Sequence, residues 1–197
     1  MKKAEMMENL SKKRNGYLLT SDVEACNISR SYLNAFVKQN GYERVGMGIY
    51  LAPDSWFDEL YVLSLQNKDL VFCGETALYL HELTEREPAF ITVAEKRGYN
   101  ASHLRKKGIK VYQYFPEIYE MGITSAVDNF GNTLPLYDRE RAVCDMIRHK
   151  KETELQTFQF AIKTYMQSRN KNVHRLMKYA QTLGIEEEVR KYTEVLL

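Results

Sequence analysis

The sequence has 197 residues, of which 44% are hydrophobic and 27% are charged; this suits one or two domains with an ordinary core and argues against wholesale disorder. No apolar run approaches the roughly 18 residues of a membrane-spanning helix, and the segment from Met1 to Arg14 lacks the apolar centre of a signal peptide. These features predict a cytoplasmic protein without a membrane partner. The cysteines are widely spaced, at Cys26, Cys73 and Cys144, which predicts buried free thiols rather than disulfides or a zinc site.

The formal net charge of +2 is divided unevenly along the chain. Residues 1–50 contain eight Lys and Arg against five Asp and Glu, a balance of +3, which leaves −1 for the rest of the sequence. A small basic segment followed by a larger, nearly neutral one is typical of a DNA-binding domain joined to a second domain of another type.

The first predicted element is a helix from Ala4 to Lys13, in which apolar residues recur at helical spacing and which Gly16 would end. A short extended run follows at residues 17–19. The next element is a brief helix that begins at Ser21, because Glu24 lies three residues later, the spacing of a capping box.

The third predicted helix begins at Ser29 and stops at Asn40-Gly41. Its buried stripe consists of Leu33, Phe36 and Val37, and Ile28 is placed to pack against that stripe as a hydrophobic staple. Two short apolar runs, 42–45 and 49–51, then flank a Gly-Met-Gly tip and predict a β-hairpin.

Helix, short strand, short helix, turn, helix and hairpin is the element order of a winged helix-turn-helix, which we predict for residues 1–52. In such a domain the last helix enters the major groove, while hydroxyl, amide and cationic side chains hold phosphates. Asn34 carries the amide that pairs with adenine, and Arg30 the guanidinium that pairs with guanine. The candidate DNA-binding residues are Lys12, Lys13, Arg14, Ser29, Arg30, Ser31, Tyr32, Asn34, Lys38 and Arg44. Winged helices also serve as protein-interaction modules, so a protein partner on this domain is the alternative.

The second domain is predicted over residues 54–197, after a boundary at Ala52-Pro53-Asp54, and its pattern is mixed α+β with a helical C-terminal tail. A helix capped by Asp54 would end near Lys68, and a second would cover 75–83. The predicted strands are 89–94, 110–115 and a hairpin of 122–128 with 133–137. The tail helices are predicted at 138–149, at 154–167, between Asn172 and Gly184, and finally around Val189, Tyr192 and Leu196.

Several of these segments resemble the AbiEi family of antitoxins. In the first domain they are Tyr17-Leu-Leu-Thr-Ser-Asp-Val and Arg44-Val-Gly-Met-Gly-Ile-Tyr-Leu-Ala-Pro53, with the family's G-[IV]-Y step at Gly48-Ile49-Tyr50. In the second they are the helix 72–83, the strand segments 90–93 and 108–112, and the helix start at 136–147. Tyr137-Asp138 replaces the family's usual Thr-Pro, and Glu82-Leu83 replaces Gly-Leu. The resemblance covers roughly residues 16–150, and the tail after Lys151 depends on helical pattern alone.

The resemblance implies a type IV toxin–antitoxin system of abortive infection, which protects against phage. In that family the antitoxin represses its own operon by binding inverted repeats of double-stranded DNA in the promoter. It opposes a separately encoded, nucleotidyltransferase-like toxin without forming a stable complex with it. We expect residues from about 54 onward to carry the antitoxin activity. No sustained heptad marks a strong dimerisation element, so a monomer in solution that pairs on the operator fits the sequence.

The sequence contains no phosphate-binding loop, dinucleotide-binding motif, zinc-protease motif or nucleophile elbow, so we predict neither an enzyme nor a cofactor. One enzymatic alternative is a thiol nucleophile at Cys73 beside His81. The other is a metal nuclease targeted by the DNA-binding head, with carboxylates drawn from Glu75, Glu82, Glu95 and Asp145. A non-enzymatic alternative is a stand-alone winged-helix repressor whose second domain senses a ligand or oligomerises.

A basic cluster stands apart in the second domain, formed by His103, Arg105, Lys106, Lys107 and Lys110. Such a cluster is typical of a solvated loop. Its other interpretation is a further surface for nucleic acid or a partner.

Overall fold

The structure is a computed structural model that describes residues 2–196, without the side chains of Val195 and Leu196. It is mixed α+β, as predicted, with one three-stranded and one five-stranded sheet. The chain divides into two compact units. The first runs to Lys68 and includes residues 127–134, so the predicted domain 1–52 is one part of it; the second contains the remaining residues. Among the described residues, no helix combines the length and the apolar character needed to cross a membrane.

The first unit alternates helices with short strands. Its elements are α1 (Lys3–Lys12), β1 (Tyr17–Leu19), α2 (Thr20–Ala25), α3 (Arg30–Gln39), β2 (Glu43–Gly46), β3 (Ile49–Leu51) and α4 (Glu59–Gln66). The three strands are antiparallel in the order β1-β3-β2, with Leu18 opposite Tyr50 and Arg44 opposite Tyr50 on its other side. The register shifts between Arg44 and Gly46, as at a β-bulge.

The core of this unit confirms the predicted stripe of α3. Leu33, Phe36 and Val37 are all buried, and Ile28 packs in the same cluster. The other buried members of the cluster are Met7, Leu18 and Val23. The hydrophobic period of α3 therefore fixes which of its faces is left for solvent or a partner.

Two predicted helix starts in this unit are wrong. The second helix begins at Thr20 rather than Ser21, with Leu19 as its N-cap and no side-chain capping bond. Thr20 N instead donates to Gly48 O at 2.8 Å, so a backbone bond from the hairpin takes the place of a capping box. Asp54 lies in a turn; the cap of α4 is Asp58, whose Oδ1 accepts from Tyr61 N at 3.1 Å.

The second unit combines the larger sheet with a helical tail. Its elements are β4 (Val71–Phe72), α5 (Gly74–Leu80), β5 (Thr92–Lys96), α6 (Ser102–Lys106), β6 (Lys110–Tyr114), α7 (Pro116–Tyr119), β7 (Ile123–Val127), β8 (Thr133–Tyr137), α8 (Arg139–Arg148), a 3-10 turn (Lys150–Glu152), α9 (Leu155–Gln167), α10 (Val173–Leu183) and α11 (Glu186–Leu196). The strand order is β6-β5-β4-β8-β7. The predicted hairpin is present as β7 and β8, although Val127, Thr133 and Leu134 at the facing ends of these strands belong to the first unit. The strand predicted at 89–94 begins and ends later, and α6 and α7 were not predicted.

Helix α8 is the centre of the second unit, since every residue from Glu140 to Ile147 is buried. It packs against α5, α9 and α10. Its predicted start at Asp138 is confirmed, because Asp138 Oδ1 accepts from Arg141 N at 2.8 Å. The predicted cap of α10 at Asn172 and its stop at Gly184, which has a φ of 69°, are confirmed as well. The predicted packing of Leu196 concerns a side chain outside the described part of the chain.

Candidate nucleic-acid interface

Helix α3 presents a polar face opposite its buried stripe. Ser29 caps the helix, and its Oγ accepts from Tyr32 N at 3.3 Å. Five of the predicted DNA-binding residues are exposed along this helix: Arg30, Ser31, Tyr32, Asn34 and Lys38. A capped helix N-terminus with hydroxyl, amide and cationic side chains can hold phosphate groups and read base edges.

The hairpin of β2 and β3 lies beside this helix in the first unit. Its tip contains Gly48, whose φ of 69° favours glycine, and Met47, whose side chain is 87% exposed. Arg44 is exposed on β2, and its Nε donates to Gly46 O at 3.2 Å. A cation at the base of the hairpin and an unburied side chain at its tip are available to a ligand.

A groove of about 550 Å³ separates the helices from the hairpin. Arg30 and Asn34 of α3 line one side, and Arg44 and Met47 of the hairpin line the other. Three of the predicted DNA-binding residues therefore share one concave surface. Thr20, Ser21 and Glu24 of α2 also line it, and sequence reasoning did not assign them to a site.

The groove contains one exposed ion pair, between Arg30 Nε and a carboxylate oxygen of Glu24. The hydrogen bond from Arg30 lowers the pKa of Glu24. The two residues are six apart, across the turn between α2 and α3, which is not a helix-face spacing and gave no signal in the sequence. Exposed pairs of this kind contribute little to stability, so Arg30 can exchange Glu24 for another anion at small cost.

The other predicted cations lie outside the residues that line this groove. Lys12 and Lys13 are exposed at the end of α1, and Lys38 is exposed in the last turn of α3. Arg14 is half-buried: its Nε lies 2.6 Å from Asp22 Oδ2 and its Nη1 lies 3.5 Å from Tyr61 Oη. A phosphate at Arg14 would have to compete with Asp22, so the structure gives this arginine a role in holding the first unit together.

The thiol considered as a nucleophile is held in an unreactive setting. Cys73 is fully buried, which raises the pKa of its thiol well above the ordinary value. Burial lowers the pKa of His81, and its Nε2 lies 2.7 Å from Tyr137 O. Cys144 is also buried and Cys26 is half-buried, all three cysteines being free. A thiol with a raised pKa is a poor nucleophile.

The carboxylates considered for a nuclease do not form a metal-binding group in the described residues. Asp145 is buried against Arg141, whose Nε donates to its Oδ1 at 3.0 Å. Glu95 is buried on β5, and burial raises its pKa to about 7. Within residues 2–196, no group of three or more His, Cys, Asp or Glu side chains is arranged to hold a metal ion.

The basic cluster of the second unit is mostly on its surface. His103, Arg105 and Lys106 are exposed on α6, followed by exposed Lys107. Lys110 is different, because its Nζ forms an ion pair with Glu152 Oε2 at 2.6 Å.

This chain matches no protein-family model and no curated protein. Among solved structures, it is similar to the RV2827C protein from Mycobacterium tuberculosis, with a TM-score of 0.48 and 10% sequence identity. The match covers 96% of this chain and 79% of that chain. The similarity is distant, and these comparisons assign the chain to no family.

Proposed function

We propose that residues 1–52 are a winged helix-turn-helix that binds double-stranded DNA. The observation that carries this proposal is the groove between α3 and the β2–β3 hairpin, on which Arg30, Asn34 and Arg44 converge. The element order and the buried stripe of α3 support it. In this arrangement α3 enters the major groove and the hairpin is the wing that contacts the flanking backbone.

The chemistry of the groove suits phosphate and base contacts. The amide of Asn34 matches the donor and acceptor edge of adenine, and the guanidinium of Arg30 matches that of guanine. The hydroxyls of Ser29 and Ser31, 3.3 Å apart at the start of α3, lie where the helix dipole attracts a phosphate. Glu24 is released when Arg30 turns to the DNA.

The test is a DNA-binding titration at two or more salt concentrations, with promoter DNA from the gene's own operon. Replacing Arg30, Lys38 and Arg44 together by alanine removes three cations and should abolish binding at physiological salt. Any residual affinity should show a log–log salt slope that is shallower by about 0.9 for each lost phosphate contact. A matched control replaces three exposed cations of the helical tail, Lys163, Arg169 and Lys178. Equal affinity and equal salt slope for the two triple variants would refute the proposal.

We further propose that the chain is the antitoxin of a type IV toxin–antitoxin system and that it represses its own operon as two copies on an inverted repeat. The support is the resemblance of its motifs to AbiEi antitoxins, together with a second unit that has its own sheet and its own helical core. One short recognition helix reads few bases, which favours paired half-sites. We assign the antitoxin activity to the residues from about 54 onward.

Co-expression with the product of the neighbouring gene tests this assignment. The full chain should rescue growth, and so should the Arg30, Lys38 and Arg44 triple variant under a foreign promoter, because DNA binding is not needed for antitoxicity. The two proteins should not co-purify. If the triple variant failed to rescue growth, transcriptional repression would be the antitoxin mechanism. If the chain formed a stable stoichiometric complex with the neighbouring gene product, it would instead inhibit that toxin directly.

A further inference from the structure

One continuous stretch of the second unit is basic throughout. From Lys96 to Pro116 the sequence contains six Lys and Arg, one His and no Asp or Glu, whereas the whole chain has a net charge of only +2. The stretch consists of the last residue of β5, helix α6, strand β6 and the turns that join them. A surface on which charge of one sign is concentrated attracts a ligand of the opposite sign.

Half of these cations are left unneutralised by the chain. Lys96 and Lys110 are paired with acids from outside the stretch, at distances of 3.2 Å and 2.6 Å. Arg97, Arg105 and Lys106 are exposed, and none of them forms an ion pair within the described part of the chain. These three side chains are therefore available to an anion from outside.

Two exposed aromatic rings stand among the cations, near the edge at which β5 and β6 end. The two strands are parallel, so Arg97 after β5 and Phe115 after β6 are neighbours, and Arg97 Cζ lies 4.4 Å from the ring centre of Phe115. The second ring is Tyr99, whose centre lies 6.0 Å from that of His103 in an edge-on arrangement. The side chains of Tyr99 and Phe115 are 41% and 53% exposed.

Contacts between the loop and β6 join these side chains into one surface. Gln113 and Phe115 are two residues apart in extended chain and point to the same face of the sheet. Gln113 Nε2 donates to Tyr99 O at 2.7 Å, which holds the loop after β5 beside that face. On α6, His103 and Lys106 are one turn apart and share a side of the helix. We call this the α6 surface; it consists of Arg97, Tyr99, His103, Arg105, Lys106 and Phe115.

The combination of cations and exposed rings favours a single-stranded polynucleotide over other anions. Any polyanion satisfies the cations, but the rings contribute only if the ligand has flat faces that stack on them. The bases of a duplex are stacked on one another, whereas those of a single strand are accessible to aromatic side chains. An acidic peptide has the charge without the repeated flat faces. The guanidinium of Arg97, stacked on Phe115, extends the platform for a base.

We propose that the α6 surface binds single-stranded nucleic acid. Bases stack on Tyr99 and on the Arg97–Phe115 pair, and Arg105 and Lys106 hold the phosphates. None of these residues lines the groove between α3 and the β2–β3 hairpin, so the inference does not depend on the duplex binding proposed for residues 1–52. RNA and single-stranded DNA share this chemistry, and comparing the two identifies the natural ligand.

The test is fluorescence anisotropy of the full chain with labelled oligouridine and oligothymidine of about 12 nucleotides, a length within the range of single-strand-binding modules. At least one of them should bind saturably and more weakly as the salt concentration rises. Tighter binding of oligouridine identifies RNA as the ligand, and tighter binding of oligothymidine identifies DNA. Polyglutamate of similar length carries charge without bases and should compete poorly.

Variants of the rings test the stacking. Tyr99→Leu and Phe115→Leu keep apolar volume and remove the flat ring, and each should weaken single-strand binding at least about fivefold. The matched control is Phe160→Leu, at an exposed ring of α9, which should bind normally. Far-ultraviolet circular dichroism should be the same for all three variants.

Variants of the cations test the phosphate contacts. The double variant Arg105→Ala, Lys106→Ala should make the log–log salt slope shallower by about 0.7 for each lost contact. Its control is Lys163→Ala, Lys178→Ala, at exposed positions of the helical tail. The triple alanine variant of the duplex groove should keep its single-strand affinity, which separates this site from the first unit.

Four results would overturn the proposal. The first is the absence of binding of either oligonucleotide at micromolar protein, and the second is competition by polyglutamate as strong as that by unlabelled oligonucleotide. The third is equal affinity of the ring variants and their control. The fourth is loss of single-strand binding in the triple variant of the duplex groove, which would assign the single strand to that groove instead.

Discussion

The side-chain amide of Asn132 donates a hydrogen bond to Asp58 Oδ2 at a distance of 2.8 Å. The two residues are 74 apart in sequence, and both are almost completely buried. Asn15 adds two bonds to the same loop, from its Nδ2 to Gly131 O at 2.8 Å and to Asn132 Oδ1 at 2.9 Å. These contacts explain why residues 127–134 belong to the first compact unit.

Replacing Asn132 by alanine should lower the free energy of unfolding by about 1–3 kcal/mol, the cost of leaving a buried acceptor without its donor. The acceptor concerned is Asp58 Oδ2. Urea unfolding followed by circular dichroism measures the change. Asn129→Ala, at an exposed position of the same loop, should have almost no effect, and a similar loss there would show that the loop tolerates no substitution at all.

Asp58 should make the stability of the protein depend on pH in an unusual direction. Burial, and the neighbouring carboxyl of Asp128, raise the pKa of Asp58 to about 6. Asp128 Oδ2 is buried with no donor among residues 2–196, and a proton on Asp58 supplies one. The folded state therefore binds this proton more tightly than the unfolded chain does.

The stabilisation from Asp58 is complete below the unfolded pKa, near 4, and is lost as the pH rises through about 6. We expect the free energy of unfolding to fall by about 1–2 kcal/mol over this range relative to Asp58→Asn, which cannot titrate. Urea unfolding at pH 4.5 and 6.5 measures the difference. The control Asp54→Asn, in the exposed turn nearby, should keep the wild-type pH dependence. If Asp58→Asn showed the same difference in the free energy of unfolding between the two pH values as the wild type, Asp58 would not be the titrating group.

Arg141 should be the most sensitive charged residue of the second unit. It is fully buried, and its Nη1 donates to Ile118 O at 2.6 Å and to Met121 O at 3.0 Å. Its guanidinium also lies 4.3 Å from the ring centre of Tyr137. Arg141→Ala leaves Asp145 buried without its cation and should cost about 3–5 kcal/mol of stability.

Arg148→Ala, at the exposed end of the same helix, is the control and should stay within about 0.5 kcal/mol of the wild type. If the charge left on Asp145 is the cause, the double variant Arg141→Met, Asp145→Leu should recover part of the loss. A double variant as unstable as Arg141→Ala would instead assign the loss to the carbonyl and aromatic contacts of Arg141.

Glu24 should act as a competitor for DNA at Arg30. An exposed ion pair is weak, so Glu24→Gln should tighten DNA binding only modestly, by up to about fivefold. Glu8→Gln makes the same charge change at an exposed position of α1 and should give a smaller effect. Fluorescence anisotropy with promoter DNA compares the two, and weaker binding by Glu24→Gln would mean that the Arg30–Glu24 pair positions the helix.

Local pattern was sufficient for α3, whose apolar period of Leu33, Phe36 and Val37 matches its observed buried face. It failed where distant parts of the chain decide the outcome. Strand β5 begins and ends later than predicted, and Thr92 through Glu95 are all buried because the helices α5 and α7 pack against the strand. The assignment of Asn132 to the first unit depends on a partner far away in sequence, which no window of local pattern contains.

The candidate groove was predictable only in part, for a similar reason. Helical spacing identified Arg30 and Asn34 as exposed, and the hairpin signal placed Arg44 beside them. The spacing of residues along the sequence does not reveal which side chains form ion pairs. It therefore did not show that Arg14 is paired with Asp22. It also missed the role of Glu24, because the pair with Arg30 crosses a turn.

The central position of β3 in the three-stranded sheet has a consequence for motion. Its residues Ile49 to Leu51 are paired on both sides, with β1 and with β2, whereas the tip at Met47 has no strand neighbour. Amide protons of β3 should therefore exchange with solvent deuterium far more slowly than those of the tip. The hairpin is rigid at its base and more flexible at its tip. The tip can therefore adapt to variations in the shape of a bound surface while α3 keeps its position on that surface.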